Sequence, residues 1–279
     1  MSVPNDLRDA PVTVPEAVTS AGLWAAGLGW LVPMLGGMTL LNLLVHPKKT
    51  ERISRFYARG QVALTGSTWR AVVDPAVDPQ AAYVFAQNHT NHLDYVTFYA
   101  ATPHFKQGLE LANHFNYPVY GWFMKARGSI PVQPRSQGQT PAIKKRLQDE
   151  IDQGHSILTF PEGSRTKDGR VGPFRKGVFF IARDLGVSVV PVAVTGMYEV
   201  MNRHRWVIRP GHQVTVYVEA PVPTAGLRDN QITDLAEHVR SVIARRVDLY
   251  WEERQAASSP LAGERTTRDR TANPLPYAP

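Results

Sequence analysis

Residues 88–94 (NHTNHLD) hold a histidine and an aspartate whose spacing could support general-base chemistry. His89 and Asp94 are five residues apart, so their side chains can meet across a turn that leads into a helix. The carboxylate would accept one ring N–H, which fixes the tautomer and leaves the other ring nitrogen free as a base. Such a pair is a catalytic triad without its serine or cysteine. The hydroxyl that it activates must therefore belong to the substrate or to water.

Two other interpretations of this segment stay open from the residues alone. His89, His92 and Asp94 are all acceptable metal ligands, which makes a metal-dependent hydrolase an alternative. Their H-x-x-H-x-D spacing differs, however, from the helical H-E-x-x-H pattern of zinc enzymes. We therefore expect no metal at this site. The plainest interpretation is a polar loop whose histidines are satisfied by hydrogen bonds.

A second segment, residues 160–166 (FPEGSRT), combines a turn with positive charge. Gly163 permits a positive φ, and Arg165 can hold a phosphate or carboxylate through two parallel N–H groups. The alternative is a solvated turn between a strand and a helix. Four more cations follow within eleven residues of Arg165, namely Lys167, Arg170, Arg175 and Lys176.

Both segments follow stretches that are apolar enough to be strands buried inside a sheet. These are residues 81–87 (AAYVFAQ) and 156–160 (SILTF), and residues 188–195 (SVVPVAVT) form a third. A strand is also predicted at 61–65, and an alternating edge strand at 213–219 (QVTVYVE). In open α/β sheets, ligands bind at loops that follow strands, so both polar segments lie where a site is expected.

Helices are predicted between these strands. The patterns indicate helices at 50–60, from Thr140-Pro141 to Gly154, at 175–185, and from Leu235 to Tyr250. Strands that alternate with helices predict an α/β fold with a mostly parallel central sheet flanked by helices.

The stretch from residue 21 to residue 45 contains no charged residue and is long enough to span a bilayer. Pro33 and the Gly36-Gly37 pair divide it into two apolar pieces. We therefore expect the fold to be preceded by a membrane-associated helical hairpin, with a single span and a buried core hairpin as alternatives. Lys48 and Lys49 follow directly, which favours the cell membrane as location, with the remaining chain on its cytoplasmic face.

The predicted organisation is a polar segment (1–17), a membrane-associated helical segment (18–46), an α/β domain (47–255) and a disordered tail (256–279). The formal net charge of +7 favours an anionic partner. A basic binding protein without catalysis is thus an alternative to an enzyme, but no nucleic-acid motif is evident, so the anion is expected to be lipid or substrate rather than nucleic acid. The lack of cysteine excludes a cysteine nucleophile, disulfides and thiolate metal sites.

Taken with two further blocks, these segments resemble the glycerolipid acyltransferase family, whose best-known members are lysophosphatidic acid acyltransferases. The first block is N-H-x-x-x-x-D at 88–94, and the third is F-P-E-G-S-R at 160–165. Between them lies G-x-I-x-V-x-x-R at 128–135, and the fourth block, V-P-V-A, falls at 190–193.

The resemblance implies an O-acyltransferase of phospholipid biosynthesis. It would pass a fatty acyl chain from a thioester, either acyl-CoA or acyl carrier protein, to the free hydroxyl of a lysolipid in the membrane, most simply lysophosphatidic acid. His89 would deprotonate that hydroxyl and Asp94 would orient His89, with direct attack on the thioester and no cofactor. General-base assistance of this kind contributes on the order of 10²–10⁴-fold.

The resemblance also implies substrate contacts. Glu162, Gly163 and Arg165 would hold the acceptor, with Arg165 facing its phosphate and Arg135 as a second anion-binding residue. Backbone N–H groups near Gly128 and Ile130 are the candidates to stabilise the developing oxyanion.

One family feature is missing. Lysophosphatidate-specific members carry a lysine shortly before a P-x-x-G-W run, which lies here at 118–122. The corresponding residues, 112–114, are Ala-Asn-His. Either Lys106 or Lys125 replaces that lysine, or the acceptor is another lysophospholipid, a lyso-ornithine lipid or a glycolipid.

Overall fold

The computed structural model of the protein describes residues 11–133 and 141–258, which contain a seven-stranded sheet flanked by helices. This architecture confirms the predicted α/β fold with a mostly parallel sheet. The strand order is β1-β7-β6-β2-β5-β3-β4. The strands are β1 (Thr68–Val73), β2 (Val84–Gln87), β3 (Lys106–Leu111), β4 (Ile130–Val132), β5 (Ser156–Thr159), β6 (Val189–Thr195) and β7 (Gln213–Val218).

All neighbouring strands run parallel except β6 and β7, which pair antiparallel. Strands β2, β5 and β6 are buried along their whole length, as expected for parallel strands covered on both faces. The prediction of an edge strand at 213–219 is wrong, because β7 lies between β1 and β6. Its alternating pattern arises because its second face is only partly covered at Gln213 and Tyr217.

The helices lie on both faces of the sheet. Side chains that alternate along β2 enter different cores: Val84 and Ala86 join one cluster, whereas Phe85 joins the other. The helices are α1 (Val14–Leu44), α2 (Glu51–Ala63), α3 (Asp94–Tyr99), α4 (Tyr120–Arg127), α5 (Pro141–Asp152), α6 (Gly177–Asp184), α7 (Met197–Val200) and α8 (Ile232–Ser258).

The strand predicted at 61–65 is wrong, because α2 continues to Ala63. Ala58 and Val62 are four residues apart, and both are buried on one face of this helix. A short apolar run at the end of a helix cannot be distinguished from a strand by its pattern alone.

Helix α1 is one continuous helix, so the predicted hairpin is wrong. It begins four residues before the predicted boundary at 18, where Thr13 and Glu16 form a capping box. Pro33 removes only one backbone N–H, and the apolar residues around it offer the backbone no competing hydrogen bonds, so the helix persists through the proline. Inward-facing Leu35 and Met38 then pack in a cluster with α2, α3 and α4.

The outward face of α1 is apolar and exposed. By length and composition the helix could cross a membrane, although 22% of its most apolar window is buried against the protein. Its exposed large side chains are Val14, Val18, Leu28, Val32, Leu40, Leu43 and Leu44.

Specific hydrogen bonds join α1 to the segment between α7 and β7. The indole N–H of Trp24 donates to the carbonyl of Trp206 at 2.8 Å, and the hydroxyl of Ser20 accepts from the backbone N–H of Ile208 at 2.9 Å. Arg209 pairs with Glu16 at 3.2 Å. Helix α1 is therefore part of the folded domain rather than a separate segment.

Helix α8 extends into the predicted tail, because it continues to Ser258. The remaining tail residues, the first ten residues of the polar N-terminal segment and Arg135 lie outside the described residues.

Candidate active site

The two polar segments found in the sequence meet at one edge of the sheet. Strands β2 and β5 are parallel neighbours, and they end at Gln87 and Thr159. Because the carboxyl ends of parallel strands lie at the same edge, residues 88–94 and 160–166 emerge side by side.

His89 and Asp94 form a hydrogen-bonded pair. His89 Nδ1 lies 2.8 Å from Asp94 Oδ2, and the carboxylate is fully buried. The imidazole stacks on Phe160 with ring centroids 4.2 Å apart, and 23% of the histidine side chain is exposed. Since Asp94 engages Nδ1, Nε2 is the ring nitrogen left to act as a base. The pair has the geometry of a base held by its orienting carboxylate.

Backbone donors fix Asp94 in place. Its Oδ2 atom also accepts hydrogen bonds from the N–H groups of Thr90 and of Asn91, the latter at 2.9 Å. All three contacts fall on the same carboxylate oxygen, which holds the side chain in one orientation. Asp94 therefore organises the loop as well as the histidine.

Two asparagines anchor the loop to its surroundings. The side chain of Asn88 exchanges two hydrogen bonds with the backbone of Val194 on β6, at 3.0 and 2.7 Å. Asn91 Nδ2 donates to the carbonyls of Met197 and Met201 at 3.0 and 2.8 Å. These positioning roles were not predicted, although asparagines at the end of a strongly apolar strand were a usable signal.

Glu162 holds the His89 loop from the other segment. Its Oε1 accepts from the backbone N–H of His89 at 2.8 Å, and its Oε2 accepts from that of Gly172 at 2.9 Å. Burial raises the pKa of Glu162, while these two backbone donors oppose that rise. The structure therefore places Glu162 against the backbone of the site, whereas the sequence predicted a contact with the acceptor. Glu162 is a positioning residue for the base, assisted by a 2.7 Å bond from the N–H of Thr166 to the carbonyl of His89.

Gly163 occupies a backbone conformation that favours glycine, with φ at 69°. A Cβ at this position would lie 2.5 Å from the Nε atom of Arg175. Gly163 thus contributes through its backbone, which lets the Arg175 side chain pass close over the turn.

We expect the Gly163→Ala variant to lower kcat/KM by about tenfold or more. The left-handed conformation costs a residue with a Cβ about 1–2 kcal/mol, and displacing Arg175 shifts the turn that holds His89. The measurement is a comparison of acyl-transfer kinetics with wild type. Gly186→Ala is the matched control, because Gly186 also has a positive φ but a Cβ there meets nothing within 4 Å. Equal activity of both variants would contradict the assigned role.

Arg165 follows the turn that holds the His89 loop, and its side chain contacts His92. Its Nη1 atom is 2.7 Å from His92 Nε2, and the His92 ring stacks on Trp206 with centroids 4.8 Å apart. Burial and the charge of Arg165 lower the pKa of His92, so the ring is neutral and Nε2 accepts from the guanidinium. Because Nε2 of His92 faces a cation, this nitrogen is not available as a ligand for the alternative of a metal-dependent hydrolase.

Among residues 11–133 and 141–258, no group of three histidine or carboxylate side chains is arranged to hold a metal ion. The metal-hydrolase alternative therefore has no geometric support in this part of the chain.

The expected oxyanion donors lie away from His89. The N–H of Gly128 donates to the carbonyl of Lys125 at 3.1 Å, as part of the left-handed C-cap of α4. Ile130 pairs with Leu109 in the parallel ladder of β3 and β4. Strand β4 is three positions from β2 in the sheet, a lateral separation of about 14 Å at the usual strand spacing. The oxyanion role expected for Gly128 and Ile130 therefore gains no support from the structure, which engages both residues in local backbone pairing.

Lys106 cannot replace the missing phosphate-binding lysine, because it is fully buried. Its ammonium donates to the carbonyls of Thr102 and His104 at 3.2 and 2.9 Å, next to the ring of Tyr99. Burial lowers the pKa of Lys106 to about 7. Lys125 is exposed on α4. At the position expected for the lysine, His114 is paired with Glu110 instead.

Helix α8 supports the second segment beyond Arg165. The indole N–H of Trp251 donates to the carbonyl of Gly169 at 3.0 Å, and Arg170 pairs with Asp248 at 2.5 Å. The hydroxyl of Tyr198 donates to the carbonyl of Lys167 at 2.9 Å. Residues 165–170, which we call the basic loop, are thus held at three points, two by α8 and one by α7.

Comparison with known proteins shows what the chain resembles. The acyltransferase family model matches residues 70–195, which include both site segments. The chloroplastic 1-acyl-sn-glycerol-3-phosphate acyltransferase of Arabidopsis thaliana is 34% identical over 178 residues, covering 63% of this chain and 47% of the relative. The corresponding Brassica napus enzyme is 36% identical over 178 residues, covering 63% and 48%. This chain thus spans about half the length of these two relatives.

A shorter relative and a solved structure extend the comparison. The 1-acyl-sn-glycerol-3-phosphate acyltransferase of Haemophilus influenzae is 24% identical over 166 residues, covering 59% of this chain and 68% of the relative. The crystal structure of the 1-acyl-sn-glycerophosphate acyltransferase of Thermotoga maritima shares the fold, with a TM-score of 0.70 over 88% of this chain and 98% of that chain, at 20% identity. The chain is thus similar to the acyltransferase family over residues 70–195, which carry both site segments, and to relatives named 1-acyl-sn-glycerol-3-phosphate acyltransferases.

Proposed function

We propose that this protein is an O-acyltransferase that acylates the free hydroxyl of lysophosphatidic acid in phospholipid biosynthesis. The observation that carries the proposal is the His89–Asp94 pair, a base with its orienting carboxylate. The proposal is supported by the names of the relatives, which are 1-acyl-sn-glycerol-3-phosphate acyltransferases. Arg165, next to this pair, supplies a cation for the acceptor phosphate.

In the proposed reaction, His89 Nε2 takes the proton of the acceptor hydroxyl as its oxygen attacks the carbonyl carbon of an acyl thioester. The new C–O ester bond forms, the C–S bond breaks, and the departing thiolate receives the proton from His89. Asp94 stabilises the imidazolium between these two proton transfers. The products are a diacylated lipid and a free thiol, and no cofactor is consumed.

The donor is an acyl thioester of either coenzyme A or acyl carrier protein. Both release the same thiolate at the reacting carbon, so the proposed chemistry is common to both. The alternative acceptors are another lysophospholipid, a lyso-ornithine lipid or a glycolipid, and the replacement of the family lysine by residues 112–114 favours testing them.

We further propose that the protein works at the cell membrane, with the catalytic domain on the cytoplasmic face. The exposed apolar side chains of α1 suit contact with lipid. Lys48 and Lys49 follow the end of that helix, and α2 exposes Phe56 between Arg52 and Arg59. Basic residues beside exposed apolar ones favour an anionic lipid surface.

Thiol release by the protein purified in detergent tests the function. Palmitoyl-CoA and palmitoyl-acyl carrier protein are each offered with lysophosphatidic acid, lysophosphatidylglycerol, lyso-ornithine lipid and 1-monoacylglycerol. We expect release that depends on the acceptor, is fastest with lysophosphatidic acid, and is unchanged by EDTA. Release without any acceptor, or its loss in EDTA, would indicate a hydrolase instead. Faster turnover of another lysolipid would show that this lysolipid, and not lysophosphatidic acid, is the preferred acceptor.

A further inference from the structure

The segment that links α7 to β7 places a second arginine beside Arg165. Arg203 Nη1 donates to the backbone carbonyl of Arg165 at 2.7 Å. One residue further, His204 Nε2 lies 2.9 Å from the carbonyl of Lys167. The segment thus runs along residues 165–167 and holds the Arg203 guanidinium against the backbone of Arg165.

Neither arginine pairs with an acidic side chain among the residues that the structure describes. Across the described part of the chain, no ion pair joins Arg165 or Arg203 to a carboxylate, whereas Arg170 pairs with Asp248 in the same loop. Burial and the nearby charge of Arg203 lower the pKa of Arg165, which is the electrostatic effect of two close cations. Each guanidinium has five N–H donors. Among residues 11–133 and 141–258, the Arg165 guanidinium bonds to His92 and the Arg203 guanidinium bonds to the Arg165 carbonyl, so within this part of the chain both retain donors for an anion.

A phosphate group suits such a pair better than a carboxylate on the protein. A dianion with three terminal oxygens can accept bidentate hydrogen bonds from one guanidinium and a further bond from the other. It would also remove the repulsion between the two cations. Both side chains are half-buried, which strengthens these interactions relative to those at an open surface.

We propose that Arg203 acts with Arg165 to bind the phosphate monoester of the acceptor, and that it thereby determines the preference for a phosphorylated acceptor. Arg203 lies outside the four sequence blocks and supplies the charge that the absent lysine does not. This inference rests on the proposed function, because it names the residue that selects the acceptor of that same site.

The test compares lysophosphatidic acid with 1-monoacylglycerol of the same chain, which differs from it only in the phosphate. We expect Arg203→Ala to raise KM for lysophosphatidic acid roughly 10- to 100-fold, which is the loss expected for a hydrogen-bonded charge pair, with a much smaller change in kcat. The kcat/KM for monoacylglycerol should stay within about twofold, since no charged contact is lost with that acceptor. Glycerol 3-phosphate should inhibit the variant more weakly than wild type by a similar factor.

Three further variants separate charge from structure. Arg203→Lys should recover part of the loss. Arg203→Gln, which keeps an N–H donor for the Arg165 carbonyl, should behave as Arg203→Ala. Arg228→Ala removes one charge near the Asp229–Arg183 pair, at the end of α6 that is far from the site, and should match wild type.

The outcomes distinguish an error in the assignment of Arg203 from an error in the proposed function. If wild type prefers lysophosphatidic acid and Arg203→Ala keeps its KM, or if Arg203→Gln restores it, the assignment to Arg203 is wrong while the proposed function stands. An equal loss with both acceptors would also overturn it, because the effect would then be structural. If wild type uses monoacylglycerol as well as lysophosphatidic acid, both the proposed acceptor and the assignment fail.

Discussion

Replacing His89 with alanine is expected to reduce kcat by about 10²- to 10⁴-fold, the contribution of a positioned general base. The ring supplies the proton acceptor at Nε2, and among the described residues no second histidine is bonded to Asp94. Positioning of both substrates should persist, so KM should change little. The measurement is thiol release from palmitoyl-CoA with lysophosphatidic acid.

The fold should tolerate the His89→Ala change, because the histidine side chain is partly exposed and the loop is held through backbone groups. A circular-dichroism melt within a few degrees of wild type would support that. His238→Ala, on the exposed face of α8, is the matched control and should retain full activity. If His89→Ala kept more than a tenth of wild-type kcat, proton abstraction by His89 would be excluded.

The Asp94→Asn variant should lose activity by a similar factor, but for a different reason. An amide in place of the carboxylate lacks the charge that stabilises the imidazolium, and its NH₂ group cannot accept the Nδ1–H of His89. His89 would then carry its hydrogen on Nε2, so this nitrogen could not accept the proton of the acceptor hydroxyl. We expect kcat to fall by about 10²- to 10⁴-fold.

Unlike His89→Ala, this change should also destabilise the protein. Asp94 Oδ2 is buried and accepts from two backbone N–H groups besides the histidine. Weakening these charge-assisted bonds should lower the free energy of unfolding by about 1–3 kcal/mol, measured by urea denaturation in detergent. Asp152→Asn, on the exposed face of α5, controls for removal of one carboxylate and should leave both quantities unchanged. A fully active Asp94→Asn enzyme would show that the carboxylate does not orient the base.

The position of the site was predictable from the sequence because each of the two polar segments follows a short apolar run. Strands such as β2 and β5 are buried on both faces, so their composition identifies them without knowledge of their partners. Strand β3 was not predicted, because it begins with Lys106 and Gln107 and therefore has the composition of a surface segment. The lysine can be buried there because its ammonium donates to the carbonyls of Thr102 and His104. The composition of the segment does not reveal these contacts.

Roles within the site were harder to predict than its position. The third block identified Glu162 and Gly163 as important, but residue type did not distinguish contact with substrate from support of the loop. Glu162 uses both carboxylate oxygens on backbone N–H groups that are 73 and 10 residues away in sequence. Gly128 was expected near the reacting atoms, yet it ends α4 at the edge of the sheet. Such distinctions depend on tertiary hydrogen bonds, which spacing along the chain does not encode.

The attachment of α1 limits how freely this helix could be exchanged during evolution. A helix that served only as an anchor could be replaced by any other apolar segment of the same length. In this protein Ser20 and Trp24 bond to the backbone of the segment that carries Trp206, and Trp206 stacks on the histidine that contacts Arg165. The exposed positions of α1 are thus free to drift among apolar residues, whereas the inward positions must vary together with the segment that lies beside Arg165.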